Sequence, residues 1–411
     1  MIYSGVFSIS ALFVGLLNSI IIARISSPEI LGAQVLWIAM AGWSVSIGQF
    51  GFRSWIIREV ANNQLSLNNL IKIAALTSIA AFTIAPLFYL IVHNRIGILI
   101  SQPPNLVFVL FGGYAAFKAI AANFASANRG LGRIGPAEFT ENLFGKLLLA
   151  SYLLLLFFTE TKLDIFNLFI VMTCASIATA VVNVWPIIYQ KRNLAPMSDQ
   201  KLPSFSDVFP FWGISLSNLF AQRIDIMILG MFSSAETIGF YQIANSLASA
   251  LGTAHESAKK SVLNVLPRWT TDPQSRRAIR LQIKQVVKLS SIFTAVGFFM
   301  MVVAGEKILS TIWGAAYESA FPILIVLCMS MLINTVAGPV GMASTLNRLE
   351  KMTNLCFWSA AIGNAALSLL LVQHLDGVGV AVGSLVSNLI FNISLFLVLW
   401  KKIRMNLTAF G

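Results

Sequence analysis

Long apolar segments run through the chain from end to end. Runs of 20 or more residues without Asp, Glu, Lys or Arg include 4–23, 30–52, 73–92, 96–117, 165–190, 319–347 and 377–400. About 20 such residues are enough to cross a bilayer as a helix. The alternating apolar and polar positions of a membrane barrel strand are not what these runs show. The pattern therefore predicts an all-α polytopic membrane protein.

Twelve membrane-spanning helices can be placed along the chain. They are predicted at 4–25, 33–52, 70–92, 105–126, 141–159, 165–189, 208–230, 238–266, 283–304, 320–345, 354–373 and 378–400. A polar connection with two prolines comes after the sixth helix and suggests an N-terminal lobe at 1–190, a linker at 191–207 and a C-terminal lobe at 208–411. Because six is an even number, both lobes enter the membrane from the same side and are predicted to be parallel repeats.

A short phrase recurs at the corresponding place in each half. Ser26-Ser27-Pro28-Glu29-Ile30-Leu31-Gly32 is matched by Ser233-Ser234-Ala235-Glu236-Thr237-Ile238-Gly239. Each copy comes after the first long apolar segment of its half and before the second. The repetition favours two related lobes, with Glu29 and Glu236 as loop or cap residues. Within the tenth span, Gly338-Pro339 is the best candidate for a kink.

Composition and charge fit this membrane assignment. Charged residues make up 11% of the chain, against about 25% in soluble domains. One set of connecting loops carries 17 Lys and Arg residues and the other set carries four. Because Lys and Arg collect on the cytoplasmic side, both termini are predicted to be cytoplasmic. The net charge of +12 is then a topology signal, and nucleic-acid binding is not needed to explain it.

Charges inside the predicted spans are the candidate site residues, because a charged side chain at the membrane centre usually lines a cavity or pairs with another group. The candidates for a cationic, anion-binding cavity are Arg223, Lys118, Lys259 and Lys146. Lys118 either faces a cavity or pairs within the bundle, while Lys146 and Lys259 either face the cavity or extend to the membrane surface. Candidates for a coupling-ion site or a structural role are Asp225, Glu256 and His255. The excess of cations favours an anionic headgroup over a cationic drug as cargo.

Several motifs along the chain resemble those of a known transporter family. They are Ala23-Arg24 through Gly32, Gly48-x-x-Gly51, Arg58-Glu59-Val60-Ala61, the Asp-led apolar stretch 225–230, the Gly-x-Tyr-x-x-Ala stretch 239–244, and Pro267. In this order they resemble the Wzx-type flippases of O-antigen and exopolysaccharide. That family shares a superfamily with the multidrug MATE exporters and the lipid II flippases. The resemblance covers essentially the whole chain.

The resemblance implies a V-shaped, MATE-like bundle of twelve helices in the bacterial inner membrane. It also implies transfer of an undecaprenyl-diphosphate-linked oligosaccharide from the cytoplasmic to the periplasmic leaflet by alternating access. Expected partners are this lipid-linked glycan, membrane lipids and a glycan polymerase with its chain-length machinery.

Other classes of function have less support in the sequence. A phosphate-binding GxxxxGK[ST] loop is absent, and the three histidines are far apart in sequence. We therefore expect no catalytic residues, no metal and no cofactor, with H⁺ or Na⁺ coupling left open. The alternatives are a MATE-like exporter of small molecules or drugs and, with weaker support, a membrane glycan polymerase.

Overall fold

The computed structural model describes residues 2–96, 104–189, 203–262, 273–346 and 349–403. Throughout these residues the chain is built from helices, and none of them forms a strand. Eight helical segments among them are long and apolar enough to cross a membrane, and Ser10–Ile25 is a shorter apolar helix. The prediction of an all-α polytopic membrane protein is confirmed.

Fourteen α-helices succeed one another along the described residues. They are α1 (Ile2–Ile25), α2 (Pro28–Gly48), α3 (Phe52–Ala61), α4 (Leu67–Ile96), α5 (Pro104–Gly130), α6 (Ile134–Glu138), α7 (Gly145–Phe158), α8 (Ile165–Tyr189), α9 (Phe205–Phe232), α10 (Ala235–Val262), α11 (Pro273–Ile312), α12 (Phe321–Ala337), α13 (Val340–Leu346) and α14 (Glu350–Ile403). A π-helical segment, Phe139–Phe144, joins α6 to α7, and a 3₁₀ helix, Ala315–Ala320, precedes α12.

Within the described residues, helices lie at each of the twelve predicted spans, and the end of the eighth, 263–266, lies outside the described residues. The fifth span is the continuous rod of α6, the π-helical segment and α7, and the tenth is α12 with α13. The eleventh and twelfth spans are the two limbs of α14, which is broken by non-helical backbone at Asp376. The kink predicted in the tenth span is confirmed, since α12 ends at Ala337 and Gly338 adopts φ 77°.

The end of the second span was predicted incorrectly. The apolar pattern predicts that this span reaches residue 52 and that a loop connects it to the third span. The structure instead ends α2 at Gly48, turns at Gly51 with φ 81° and begins α3 at Phe52. Helix α3 is amphipathic: it buries Trp55, Ile56 and two further apolar side chains and leaves Arg58 exposed. A helix of this kind lacks the long apolar run that marks a membrane span.

The two copies of the repeated Ser-Ser-x-Glu-x-x-Gly phrase form equivalent turns. The first connects α1 to α2 and the second connects α9 to α10. In the first copy, Ser26 donates a hydrogen bond to the carbonyl of Ile22, and Pro28 begins the next helix. Pro is favoured at this position because its missing N–H would have no partner there.

The helix packing also repeats between the halves. In the first half α4 packs on α5 and α5 on α8, and in the second α11 packs on α12 and α12 on α14. Side-chain amides join the corresponding pairs: Asn128 bonds the Asn183 carbonyl at 3.1 Å, and Asn388 bonds Ser330 at 2.7 Å. Side-chain hydrogen bonds of this type help to hold membrane helices together, because apolar side chains are as well accommodated by lipid as by a neighbouring helix.

The chain forms two compact units, Met1–Glu236 and Thr237–Gly411. Helix α9 therefore belongs to the first compact unit, although the predicted C-terminal lobe includes it. The lobes were defined by membrane topology, and the boundary at 191–207 stays a prediction. Most of that predicted linker lies outside the described residues.

Candidate functional site

Lys146 lies at the start of α7, directly after the π-helical segment. Its ammonium donates a 2.9 Å hydrogen bond to the backbone carbonyl of Ala11 on α1. In return, the Asn18 amide of α1 donates to the Lys146 backbone carbonyl at 3.0 Å. A π-turn takes up an extra residue, so the side chains after it face a different direction from those of an uninterrupted α-helix. The π-helical segment therefore helps to set the direction in which Lys146 points.

Lys118 lies near the middle of α5. Its ammonium is 5.2 Å from the centre of the Tyr114 ring, within the range of a cation–π interaction. Tyr114 is buried and precedes Lys118 by four residues, which places both on the same face of the helix. Sequence reasoning missed Tyr114, although the four-residue spacing from a membrane-embedded lysine was a usable signal.

Arg223 of α9 completes a cluster with these two lysines. It is half-buried, and both Lys118 and Arg223 lie close enough to act electrostatically on the Lys146 ammonium. Arg223 also lies within electrostatic range of Tyr114. We call Lys118, Lys146 and Arg223 the cationic cluster. Three of the four cations named from the sequence, on α5, α7 and α9, are thus brought together.

Within the described residues, the cationic cluster has no paired carboxylate. None of the ion pairs between basic and acidic side chains in this part of the chain includes Lys118, Lys146 or Arg223. Positive groups that lie together repel one another, and the repulsion is strongest where little water screens it. A bound anion would relieve this repulsion.

The remaining candidates do not add to this geometry. The side chains of Lys259 and His255, both on α10, lie outside the described residues. Asp225 is half-buried on α9, and Glu256 is exposed on α10. Within the described part of the chain, no group of three His, Cys, Asp or Glu side chains could hold a metal ion.

A separate network of ion pairs joins α3, α5 and the start of the fifth span. The Glu141 carboxylate contacts the guanidinium groups of both Arg53 and Arg129, the latter at 2.6 Å. Arg129 also binds Glu138 at 2.9 Å, so that two arginines share two carboxylates. Sequence reasoning missed this network because it assigned Arg53 and Arg129 to separate loops. The three-residue spacing of Glu138 and Glu141 was a signal that both lie on one face of a helix.

The polar residue Asn123 serves packing between helices. Its amide donates a 2.7 Å hydrogen bond to the Thr77 hydroxyl, joining α5 to α4 in a fully buried contact. Asn123 therefore contributes to helix association.

Together these features define a class of protein, a multi-pass membrane protein with basic side chains among its helices. The family is shown by the sequence. A model of the family described as "Polysaccharide biosynthesis protein" matches residues 1–257, which is more than half of the chain. The chain belongs to this family. No curated protein sequence matches it.

Solved transporter structures share the fold. A lipid II flippase, MurJ, in an inward closed conformation is similar with a TM-score of 0.67 and 14% identity, over 97% of this chain and 87% of that one. An inward-facing multidrug resistance MATE family transporter of the MOP superfamily gives a TM-score of 0.67 and 14% identity, over 97% and 94%. A MOP superfamily transporter from Pyrococcus furiosus, described by a binding pocket of reverse polarity, gives 0.54 and 13%, over 98% and 94%. At such identities the likeness shows the fold alone.

Proposed function

We propose that this protein is a flippase that moves an undecaprenyl-diphosphate-linked oligosaccharide, an O-antigen or exopolysaccharide repeat unit, from the cytoplasmic to the periplasmic leaflet. The observation that carries the proposal is the cationic cluster, which has no paired carboxylate among the described residues. Membership of the polysaccharide biosynthesis family supports a glycan as cargo. The fold shared with a lipid II flippase supports a lipid-linked one.

The chemistry of the cluster suits a diphosphate. The Arg223 guanidinium can donate two parallel hydrogen bonds to phosphate oxygens, whereas Lys118 and Lys146 act as compact point charges. Three donors from three helices can divide their contacts between two phosphoryl groups. In this arrangement the sugars occupy the polar interior and the polyprenyl chain stays in the lipid.

Transport proceeds by alternating access in the bacterial inner membrane, with both termini in the cytoplasm. An inside-negative potential favours outward movement of the anionic headgroup by about 2.3 kcal/mol per charge per 100 mV. Counterflow of H⁺ or Na⁺ adds to this force if Asp225, Glu256 or His255 binds the ion. A glycan polymerase and its chain-length machinery are the proposed partners on the periplasmic side.

The rival function is export of a small molecule, since a multidrug MATE transporter shares the fold equally well. An exporter of cationic drugs needs acidic side chains that face its cargo, and no described carboxylate pairs with the cluster. A membrane glycan polymerase is the weaker rival, because its sugar site usually requires a large loop.

Deletion and complementation of the gene test the proposal. Loss of the protein should leave lipid-linked repeat units on the inner leaflet and remove surface polysaccharide. Wild-type protein should reverse both effects, and Arg223→Ala at equal expression should not. Normal surface polysaccharide with raised drug sensitivity would favour the exporter. Polymerised glycan lost while single repeat units still reach the surface would favour the polymerase.

A further inference from the structure

The turn between α2 and α3 meets the backbone of α9 at Gly51. A Cβ atom on this residue would lie 2.6 Å from the carbonyl oxygen of Val208 and 2.9 Å from the carbonyl carbon of Phe211, and closer still to the Trp212 nitrogen. These are backbone atoms, which cannot move aside as a flexible side chain would. Gly51 also has φ 81°, which only glycine adopts without strain. Glycine is therefore required here both for its conformation and for the close approach of α9.

Side chains around Gly51 reinforce this contact. The Arg58 guanidinium of α3 lies 5.2 Å from the centre of the Phe211 ring, and the rings of Phe50 and Trp212 are 5.7 Å apart. Val208 is buried in the same apolar cluster as Trp55 of α3. One end of α9 is thus docked on the α2–α3 turn by backbone, aromatic and apolar contacts together.

A second contact holds α9 at a point nearer to the cationic cluster. The Trp43 ring of α2 meets the Phe220 ring of α9 edge to face at 4.8 Å between centroids. Phe220 precedes Arg223 by three residues, less than one helical turn. Helix α9 is continuous from Phe205 to Phe232, so Trp212 and Arg223 move as parts of one rod, about 16 Å apart along its axis. The docking at Gly51 and the Phe220 contact therefore both constrain the backbone position of Arg223.

We propose that Gly51 is a positioning residue of the anion site: docking of α9 on the α2–α3 turn brings Arg223 to Lys118 and Lys146. The proposal rests on the proposed function. Helix α9 is the first helix after residues 190–202 and was predicted to belong to the second lobe. When the lobes exchange access, α9 leaves the turn, Arg223 leaves the two lysines, and the affinity for the diphosphate falls. The docked state therefore holds the substrate and the undocked state releases it.

Glycine variants test the docking contact, with inorganic pyrophosphate and a short-chain prenyl diphosphate as probes. Gly51→Ala should weaken binding by about tenfold or more, as loss of one charged hydrogen-bond donor would. Gly132→Ala and Gly213→Ala are the matched controls. Gly132 shares a positive φ of 77°, Gly213 lies on α9 itself, and a Cβ on either meets nothing within 4 Å. Both controls should bind as the wild type does.

A double variant separates positioning from a general loss of structure. If Gly51 acts through Arg223, Gly51→Ala with Arg223→Ala should bind no more weakly than Arg223→Ala alone. Losses that multiply, or a Gly51→Ala protein that binds normally, would overturn the inference. Binding that is absent already in the wild type would instead count against the proposed function.

Cross-linking tests the same contact without relying on the glycine variant. Phe50→Cys with Trp212→Cys, in a chain whose Cys174, Cys328 and Cys356 are replaced by serine, allows a short reducible cross-linker to hold α9 on the turn. The cross-linked protein should bind the prenyl diphosphate at least as tightly as the same double-cysteine protein without the cross-link but fail to transport, and reduction should return transport to the level of that uncross-linked protein. A cross-linked protein that transports at the full rate would show that α9 does not need to leave the turn.

Discussion

The Lys146 ammonium is held by the backbone carbonyl of Ala11 at 2.9 Å, across the contact between α7 and α1. A carbonyl oxygen is a neutral partner, so the bond orients the ammonium without cancelling its charge. The lysine therefore keeps its positive charge, which lies within electrostatic range of Lys118 and Arg223. That charge is available to an incoming anion.

Substitutions of Lys146 should distinguish the contribution of its charge to binding from that of its size. We expect Lys146→Met to weaken diphosphate binding about 10- to 100-fold, since a hydrogen bond to a charged group contributes about 1.5–3 kcal/mol. Lys146→Arg keeps the charge and should retain most of the binding. Titration of the purified protein with a prenyl diphosphate measures both. Equal losses in the two variants would show that packing, and not charge, is what the site needs.

The space beside Lys146 is limited by Gly15 of α1. A Cβ on Gly15 would lie 3.4 Å from the ammonium nitrogen, at the inner edge of ordinary contact. Gly15→Ala should therefore be tolerated, whereas Gly15→Leu should push the ammonium away from the Ala11 carbonyl and reduce binding about as much as Lys146→Met does. Gly113→Leu on α5 is the size control, because a Cβ there meets nothing within 4 Å. Normal binding by Gly15→Leu would contradict the position assigned to Lys146.

Glu141 is expected to matter for stability and not for binding. Glu141→Gln leaves Arg53 and Arg129 without the carboxylate that they share, and should lower the free energy of unfolding by about 1–3 kcal/mol, since the network is only partly buried. The control is Glu59→Gln, which breaks the more exposed pair with Arg58 and should cost about 0.5 kcal/mol or less. Thermal unfolding in detergent compares the two. A smaller loss for Glu141→Gln than for Glu59→Gln would refute this ranking.

The break in α14 at Asp376 predicts how substitutions there change stability. This residue has φ 49° and ψ −130° and accepts a 2.7 Å hydrogen bond from the Thr237 hydroxyl. Asp376→Gly loses the bond but relieves the backbone, whereas Asp376→Ala loses the bond and keeps the strain. We expect the glycine variant to be the more stable by about 1 kcal/mol. Unfolding midpoints that place alanine above glycine would mean that the backbone here is not strained.

The sequence predicted the helices well because long apolar runs are a strong local signal. It predicted the site less completely, since Tyr114, the Ala11 carbonyl and the Gly51 contact depend on which helices pack together. The structure has helix α3 where the sequence predicted a loop after the second span. Its ten amphipathic residues contain no long apolar run, and the prediction relied on such runs alone. Lys118 and Arg223 could be named as candidates from the sequence because a charge inside a membrane span is costly and therefore rare.

Equilibrium binding to the purified protein in lipid nanodiscs measures the role of the cationic cluster most directly. The ligands are a short-chain prenyl diphosphate oligosaccharide and the same molecule with one phosphate. Wild-type protein should prefer the diphosphate, and replacing Lys118, Lys146 and Arg223 with Met, Met and Gln should abolish that preference while the protein stays folded. Equal affinity of the wild type for both ligands, or a preference unchanged in the triple variant, would contradict the claim that the cationic cluster binds the diphosphate.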